Sequence, residues 1–392
     1  MKNTYLVKKS LALCLVATSM LSLPALTGFI QPAATTGNDA QALIDQEVRK
    51  YMQQYHIPAL SIAISKDNKL VIAKSYGMAD REQQQPATNQ SLYRIASLSK
   101  QITSAVIMKL VEQGRLQLSD KVFGPDAILG TSYGHTHYSK WVQDITVDEL
   151  LHHTAGGWDN SGQRYNDPMF TQPGLHAGDL ISYTLDNLPL DNPPGTHYAY
   201  SNFGYCVLGR VIEKLTGLPY QAAARNLVLK PCGITDMEIG GNGLQHRKPN
   251  EVMYYGQGGE DPYKINIARL DAHGGWIATA TDLVRFMCHI NGSANDILTT
   301  TTENIMNTGS AANKQYACGW SLNGANRWHT GSLPGTQTEQ AIIKQQGNFT
   351  FAILTNTRSN ENGFQHDMDR IFWNVMKQDP VWPGVDLFPC SS

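Results

Sequence analysis

Strand character is concentrated at the two ends of this chain, and that arrangement restricts the fold more than any other feature. Near the start, ALSIAISKDN and KLVIAKSYG (59–77) alternate or run apolar at strand length, with Asp67 and Asn68 as a polar turn between them. Near the end, RWHTG, EQAIIKQQ and FTFAILTN repeat that pattern before a closing helix in MDRIFWNVMK. Between them, residues 118–264 read as helical and loop-rich, broken by NPPG (192–195) and KPCG (230–233). One sheet built from both chain ends accommodates this order. Short turns between successive strands make it mainly antiparallel, with helices covering its faces. The expected class is therefore α/β, more strictly α+β, with an inserted helical lobe. Residues 35–117 and 265–392 would form the discontinuous α/β domain and 118–264 the helical one, with a cleft between them as the place for a substrate.

The first 34 residues are expected to be a targeting segment rather than part of this fold. Lys2, Lys8 and Lys9 precede a mostly apolar run from Leu11 to Ile30, followed by small and polar residues, which is the layout of a secretory signal peptide. Cleavage is expected after Ala25 or Ala34. Thr18, Ser19, Ser22 and Pro24 interrupt the run and argue against a retained membrane anchor. The reading is a secreted or periplasmic protein with no stable membrane span after signal removal.

Export would remove Cys14 and leave Cys206, Cys232, Cys288, Cys318 and Cys390, too few and too scattered for a disulfide scaffold. Cys206 and Cys288 sit in apolar helical patterns and read as buried, inert thiols. The charge balance, 31 basic against 33 acidic residues, offers no electrostatic footprint for nucleic acid. Metal chemistry also lacks a motif: there is no H-E-x-x-H, and His135 and His137 in GHTHY fall in an expected surface loop. No Gly-rich phosphate loop appears, and the expected chemistry needs no cofactor.

Chemistry enters at IASLSK (95–100). A helical face formed by Ile102, Ala105, Val106, Leu110 and Val111 begins here, which places Lys100 in the first turn, beside the positive end of the backbone dipole. Ser97 lies three residues earlier, within reach on one face. Burial and the dipole both disfavour an ammonium, lowering the lysine toward the range of a working base, and a serine hydroxyl needs such a base to become a nucleophile. Unpaired N–H groups at the helix start could receive an oxyanion. Alone, S-x-x-K reads first as a capping serine followed by a solvated lysine.

Two further segments alter that balance. YAYSNFGYCVLGRVIEKLTG places Tyr200, Ser201 and Asn202 at the start of another amphipathic helix, and RWHTGSLPG places His329, Thr330 and Gly331 in a strand. SLSK, YSN and HTG, in that order, resemble the motifs of the penicillin-recognising serine hydrolases, the class C β-lactamase and serine DD-peptidase family with its esterase and D-peptidase relatives. LLHHTAGG (150–157) and HGGWIATATDLVRF (273–286) are similar to two further segments of that family, and the likeness runs from about Ala40 to Lys377.

The resemblance implies that Ser97 is the acylated nucleophile, Lys100 its basic partner and Tyr200 a general base or proton relay. It implies that Asn202 binds the substrate amide. The backbone N–H groups of Ser97 and Ser332 would form the oxyanion hole, and His329, Thr330 and Gly331 would line the carboxylate end. His152, His153, Thr154 and Gly156 are expected to support the cleft by shape. Many β-lactamases of the family carry Lys where this chain has His329. A histidine recognising carboxylate as imidazolium would lose that ability as pH rises. The expected function is a DD-carboxypeptidase-like or D-peptidase-like serine hydrolase acting on D-Ala-D-Ala-type peptides. A β-lactamase or small-ester hydrolase on the same scaffold is the alternative, and a binding protein without turnover is a third reading.

Overall fold

The two ends of the chain meet along one seam. A computed structural model describes residues 38–160 and 166–388, so the expected signal segment and Cys390 lie outside the described residues. The described strands are β1 (Ala59–Lys66), β2 (Lys69–Asp80), β3 (Gln85–Pro86), β4 (Tyr93–Arg94), β5 (Glu238–Ile239), β6 (Trp276–Ala278), β7 (Ser321–Asn323), β8 (Asn326–Leu333), β9 (Thr336–Ile343) and β10 (Phe349–Thr355). Seven of them form an antiparallel sheet in the order β3-β2-β1-β10-β9-β8-β7. At the seam β1 pairs with β10, from Leu60 opposite Thr355 to Lys66 opposite Phe349. Asp67 and Asn68 both adopt left-handed backbone (φ 50° and 63°), which a two-residue hairpin turn between β1 and β2 requires and which Asp and Asn tolerate.

Both faces of the central strands are covered, and the side-chain period of two separates the contents of the two cores. Leu60, Ile62, Ile64, Phe351 and Ile353 face helices Ala40–Gln54 and Phe364–Met376, while Ala59, Ala63, Ala352 and Leu354 join the larger core on the opposite side. On that opposite side lies helix Ser99–Glu112, in which every residue from Ser99 to Met108 is buried. The sequence shows one apolar face there; the fold encloses the helix all round, and Val111 alone of that face is only partly buried.

Among the described residues of 118–264, only helices Ala177–Asn187 and Asn202–Thr216 exceed ten residues, and most of the others lie in short helices and turns. Their buried side chains belong to the same core as the enclosed helix. A second, three-stranded sheet, β4-β6-β5, has no counterpart in the sequence reading, because strands of two or three residues carry no readable period. β4 leads directly into the turn that holds Ser97. Cys206, Cys232, Cys288 and Cys318 are free and buried, and no described helix is long and apolar enough to cross a membrane.

Candidate active site

Ser97 sits on a tight turn rather than on the first turn of the α-helix. Ala96 has φ 49°, strained for a residue with a Cβ, and Ala96–Leu98 form a single 3-10 turn before the α-helix starts at Ser99. Ser99 Oγ donates to Ala96 O at 2.7 Å and Thr338 Oγ1 donates to Ile95 O at 3.0 Å, tying the turn to its own helix and to β9. β8 approaches from the other side. A Cβ on Gly331 would run into Ile95 O and Thr338 Oγ1, so only glycine lets β8 lie this close to Ser97. Gly331→Ala is expected to cost about 1–3 kcal/mol of stability, read by chemical denaturation, and to push β8 off the cleft.

Lys100 is wholly buried because its helix is enclosed. Its Nζ lies 3.1 Å from Ser97 Oγ, 2.7 Å from Asn202 Oδ1 and 3.0 Å from His273 O. Burial drives its pKa down to about 7, while the negative charge of Asp167 pulls the other way. The helix dipole is not needed for this shift. As a neutral amine, Lys100 keeps two N–H groups for Asn202 Oδ1 and His273 O, and its lone pair then faces Ser97 Oγ. That geometry can take a proton from the serine.

Ser201 caps helix Asn202–Thr216 by accepting from Gly204 N at 3.0 Å, which explains why Y-S-N falls at a helix start. Asn202 thereby points its side chain at Lys100. Tyr200 places its ring 4.7 Å from Lys100 Nζ. Its buried hydroxyl faces Ser97 without completing a hydrogen bond of full geometry. Burial raises its pKa strongly, and the serine hydroxyl offsets little of that, so Tyr200 is a phenol at neutral pH. His153 Nδ1 accepts from Ser201 N at 3.0 Å and its Nε2 lies 3.1 Å from Tyr316 Oη, a supporting position behind the motif. His152 points elsewhere, its nitrogens 3.0 Å from Asp148 O and Thr308 O.

The surroundings of His329 bear on its charge state. Its Nδ1 lies 2.6 Å from Thr330 O and its Nε2 3.1 Å from Tyr316 Oη. Burial, with the Lys100 charge nearby, holds the ring pKa at about 3. A neutral imidazole cannot supply a pH-dependent positive charge at neutral pH, so the expected loss of carboxylate binding with rising pH has no basis here.

Ser97, Tyr200, Asn202, His329, Thr330 and Ser332 line a single cleft of about 610 Å³, whereas Lys100 stays beneath its floor. Sequence reasoning missed Arg358, which also lines the cleft; its Nη1 donates to Ser332 Oγ at 3.2 Å, and its Nε is held by Glu260 at 2.9 Å. It missed the aromatic rim as well, where Phe170 and Trp328 are 47% and 40% exposed. Neither lies in a recognisable motif; Arg358 merely follows β10 in sequence. His135 is exposed and paired with Asp186, and no group of three or more His, Cys, Asp or Glu among the described residues is placed to hold a metal ion.

A family model described as Beta-lactamase matches residues 44–372, most of the chain and all of the cleft. The chain belongs to the beta-lactamase family. Beta-lactamase from Providencia stuartii is 30% identical over 286 residues, covering 70% of this chain and 67% of the relative. Protein flp from Staphylococcus aureus (strain MRSA252) is 25% identical over 331 residues, 82% of this chain; the match spans only 64% of that relative's length. Among solved structures, a beta-lactamase-family fold is shared with the octameric penicillin-binding protein homologue from Pyrococcus abyssi. That structure has TM-score 0.68 at 20% identity, over 87% of this chain and 78% of the other. D-amino acid amidase from Ochrobactrum anthropi SV3 aligns with TM-score 0.69 at 19% identity, over 87% and 99%. This beta-lactamase-family chain thus has the serine-hydrolase fold of β-lactamases and penicillin-binding proteins.

Proposed function

We propose that the protein is a serine hydrolase that forms an acyl-enzyme through Ser97 and acts as a DD-carboxypeptidase-like or D-peptidase-like enzyme. The observation that carries this reading is Lys100 Nζ, 3.1 Å from Ser97 Oγ with its other two acceptors fixed and a pKa near 7. Lys100 takes the proton as Ser97 Oγ bonds to the substrate carbonyl carbon, and the carbonyl electrons move onto oxygen facing the N–H groups of Ser97 and Ser332. The tetrahedral adduct collapses as the carbon–leaving group bond breaks. Tyr200, a phenol rather than a phenolate, passes a proton to the departing amine and is reprotonated from Lys100. Water then releases the acyl group by the reverse route.

The substrate side is supported by two features of the cleft. β7 pairs only with Asn326–Trp328, so Thr330–Ser332 form a free strand edge along the cleft to which an extended peptide can align. Arg358, ion-paired to Glu260 through Nε and Nη2, keeps Nη1 beside Ser332 in the cleft, where it can donate to a substrate ending in a carboxylate. Arg358→Gln is expected to raise KM for a carboxylate-terminated D-peptide about tenfold while leaving a neutral ester nearly unaffected. Equal effects on both would assign Arg358 a structural role.

The relative named Beta-lactamase in Providencia stuartii favours β-lactam hydrolysis as a second reading on the same residues. Turnover measured in parallel on a peptide ending in D-Ala-D-Ala, a penicillin and a short-chain ester separates them. Release of D-alanine as the fastest reaction is the expected result. Faster penicillin hydrolysis supports the β-lactamase reading, a dominant ester rate the esterase one, and silence on all three a binding protein.

A further inference from the structure

Asp167 is a buried carboxylate, 2% exposed, that no motif marks and that does not line the cleft. Its Oδ1 accepts from Met169 N at 3.0 Å and its Oδ2 from Asn202 N at 2.6 Å. One carboxylate thus joins the segment at 167–171 to the first residue of helix Asn202–Thr216. That residue's side-chain oxygen in turn accepts from Lys100 at 2.7 Å. The chain of contacts runs from Asp167 through Asn202 to Lys100 and Ser97.

We infer that Asp167 is a positioning residue that sets the charge state of Lys100, so that the acid limit of catalysis is governed from a carboxylate outside the cleft. This rests on Lys100 acting as the base for Ser97. The other groups around the pair leave this role to Asp167. His153, His273 and His329 face Lys100 from three separate elements, and burial holds all three far on the neutral side. Tyr200, Tyr205 and Cys206 are pushed up by burial and carry no charge at neutral pH. Arg269, bonded to the carbonyls of Met169, Gln172 and Leu175, is charged at every pH considered and so sets no midpoint of its own. Burial raises Asp167 itself to about 6, against the N–H groups of Met169 and Asn202 and the Lys100 charge, so the carboxylate is ionised where Lys100 titrates.

The sign follows. An ionised Asp167 favours the ammonium, and removing its charge lets Lys100 become neutral at lower pH. Asp167→Asn keeps the shape and one acceptor oxygen. The midpoint of the acidic limb of kcat/KM is expected to move down by about one pH unit. The 13Cε titration of Lys100, identified by its absence in Lys100→Arg, should move by the same amount. Asp167→Ser, which can still cap Met169 N, should do likewise and covers the case in which the asparagine variant does not fold. A lower rate at every pH with both midpoints unmoved overturns the inference and leaves Asp167 as a structural cap. The nuclear magnetic resonance titration needs no turnover, so it separates failure of this inference from failure of the acyl-enzyme reading.

Discussion

Ser97→Ala is expected to lower kcat on whichever substrate the enzyme turns over by about 10⁴ to 10⁶, with the fold retained. Its hydroxyl is the group at the cleft floor within 3.1 Å of Lys100 Nζ, the buried amine whose pKa is brought down to about 7. Ser332, also in the cleft, has its hydroxyl bonded to Arg358, a cation that cannot act as a base. Steady-state kinetics and a thermal melt check the prediction together. A variant within tenfold of the wild type would remove Ser97 from the chemistry.

Lys100→Met carries the second large effect, a fall in kcat/KM of about 10³ or more. The wild-type profile should show its cause. Burial lowers the lysine pKa to about 7, and the free amine is the active form, so kcat/KM should rise as pH rises through about 7 and then level. In Lys100→Met that limb should vanish along with the rate. Stability moves in the same direction. Burying an ammonium costs stability below about pH 7, and that cost shrinks as pH rises toward 10.5, where the unfolded lysine also loses its proton. Unfolding at pH 6 and pH 9 should therefore differ in the wild type by an amount that Lys100→Met reduces.

What could be read in the sequence was whatever is local in it. Ser97 and Lys100 are three residues apart, Tyr200 and Asn202 flank a capping serine, and His329 to Gly331 lie on one strand; each unit is small enough for its geometry to follow from secondary structure alone. The paired ends of the sheet were legible for a similar reason, since β1 (ALSIAISK) and β10 (FTFAILT) are mostly apolar at strand length, as a strand covered on both faces is. Arg358, Asp167 and the Phe170–Trp328 rim were not legible. Arg358 and the rim reach the cleft, and Asp167 reaches Asn202 beneath it, through contacts between segments far apart in the chain, and nothing in their own neighbourhoods announces it. The charge state of His329 was left open by the sequence for another physical reason. A histidine in a strand looks titratable until its burial and the Lys100 charge, which outweigh the Thr330 carbonyl, are known.

The measurement that bears most directly on the account is intact-mass analysis after brief exposure to a penicillin and to an activated D-acyl ester, followed by peptide mapping of any adduct. One acyl group per chain is expected on the peptide containing Ser97, formed faster at pH 8 than at pH 6, and absent in Ser97→Ala. An adduct of the same yield in Ser97→Ala, or one that maps to another residue, would contradict it.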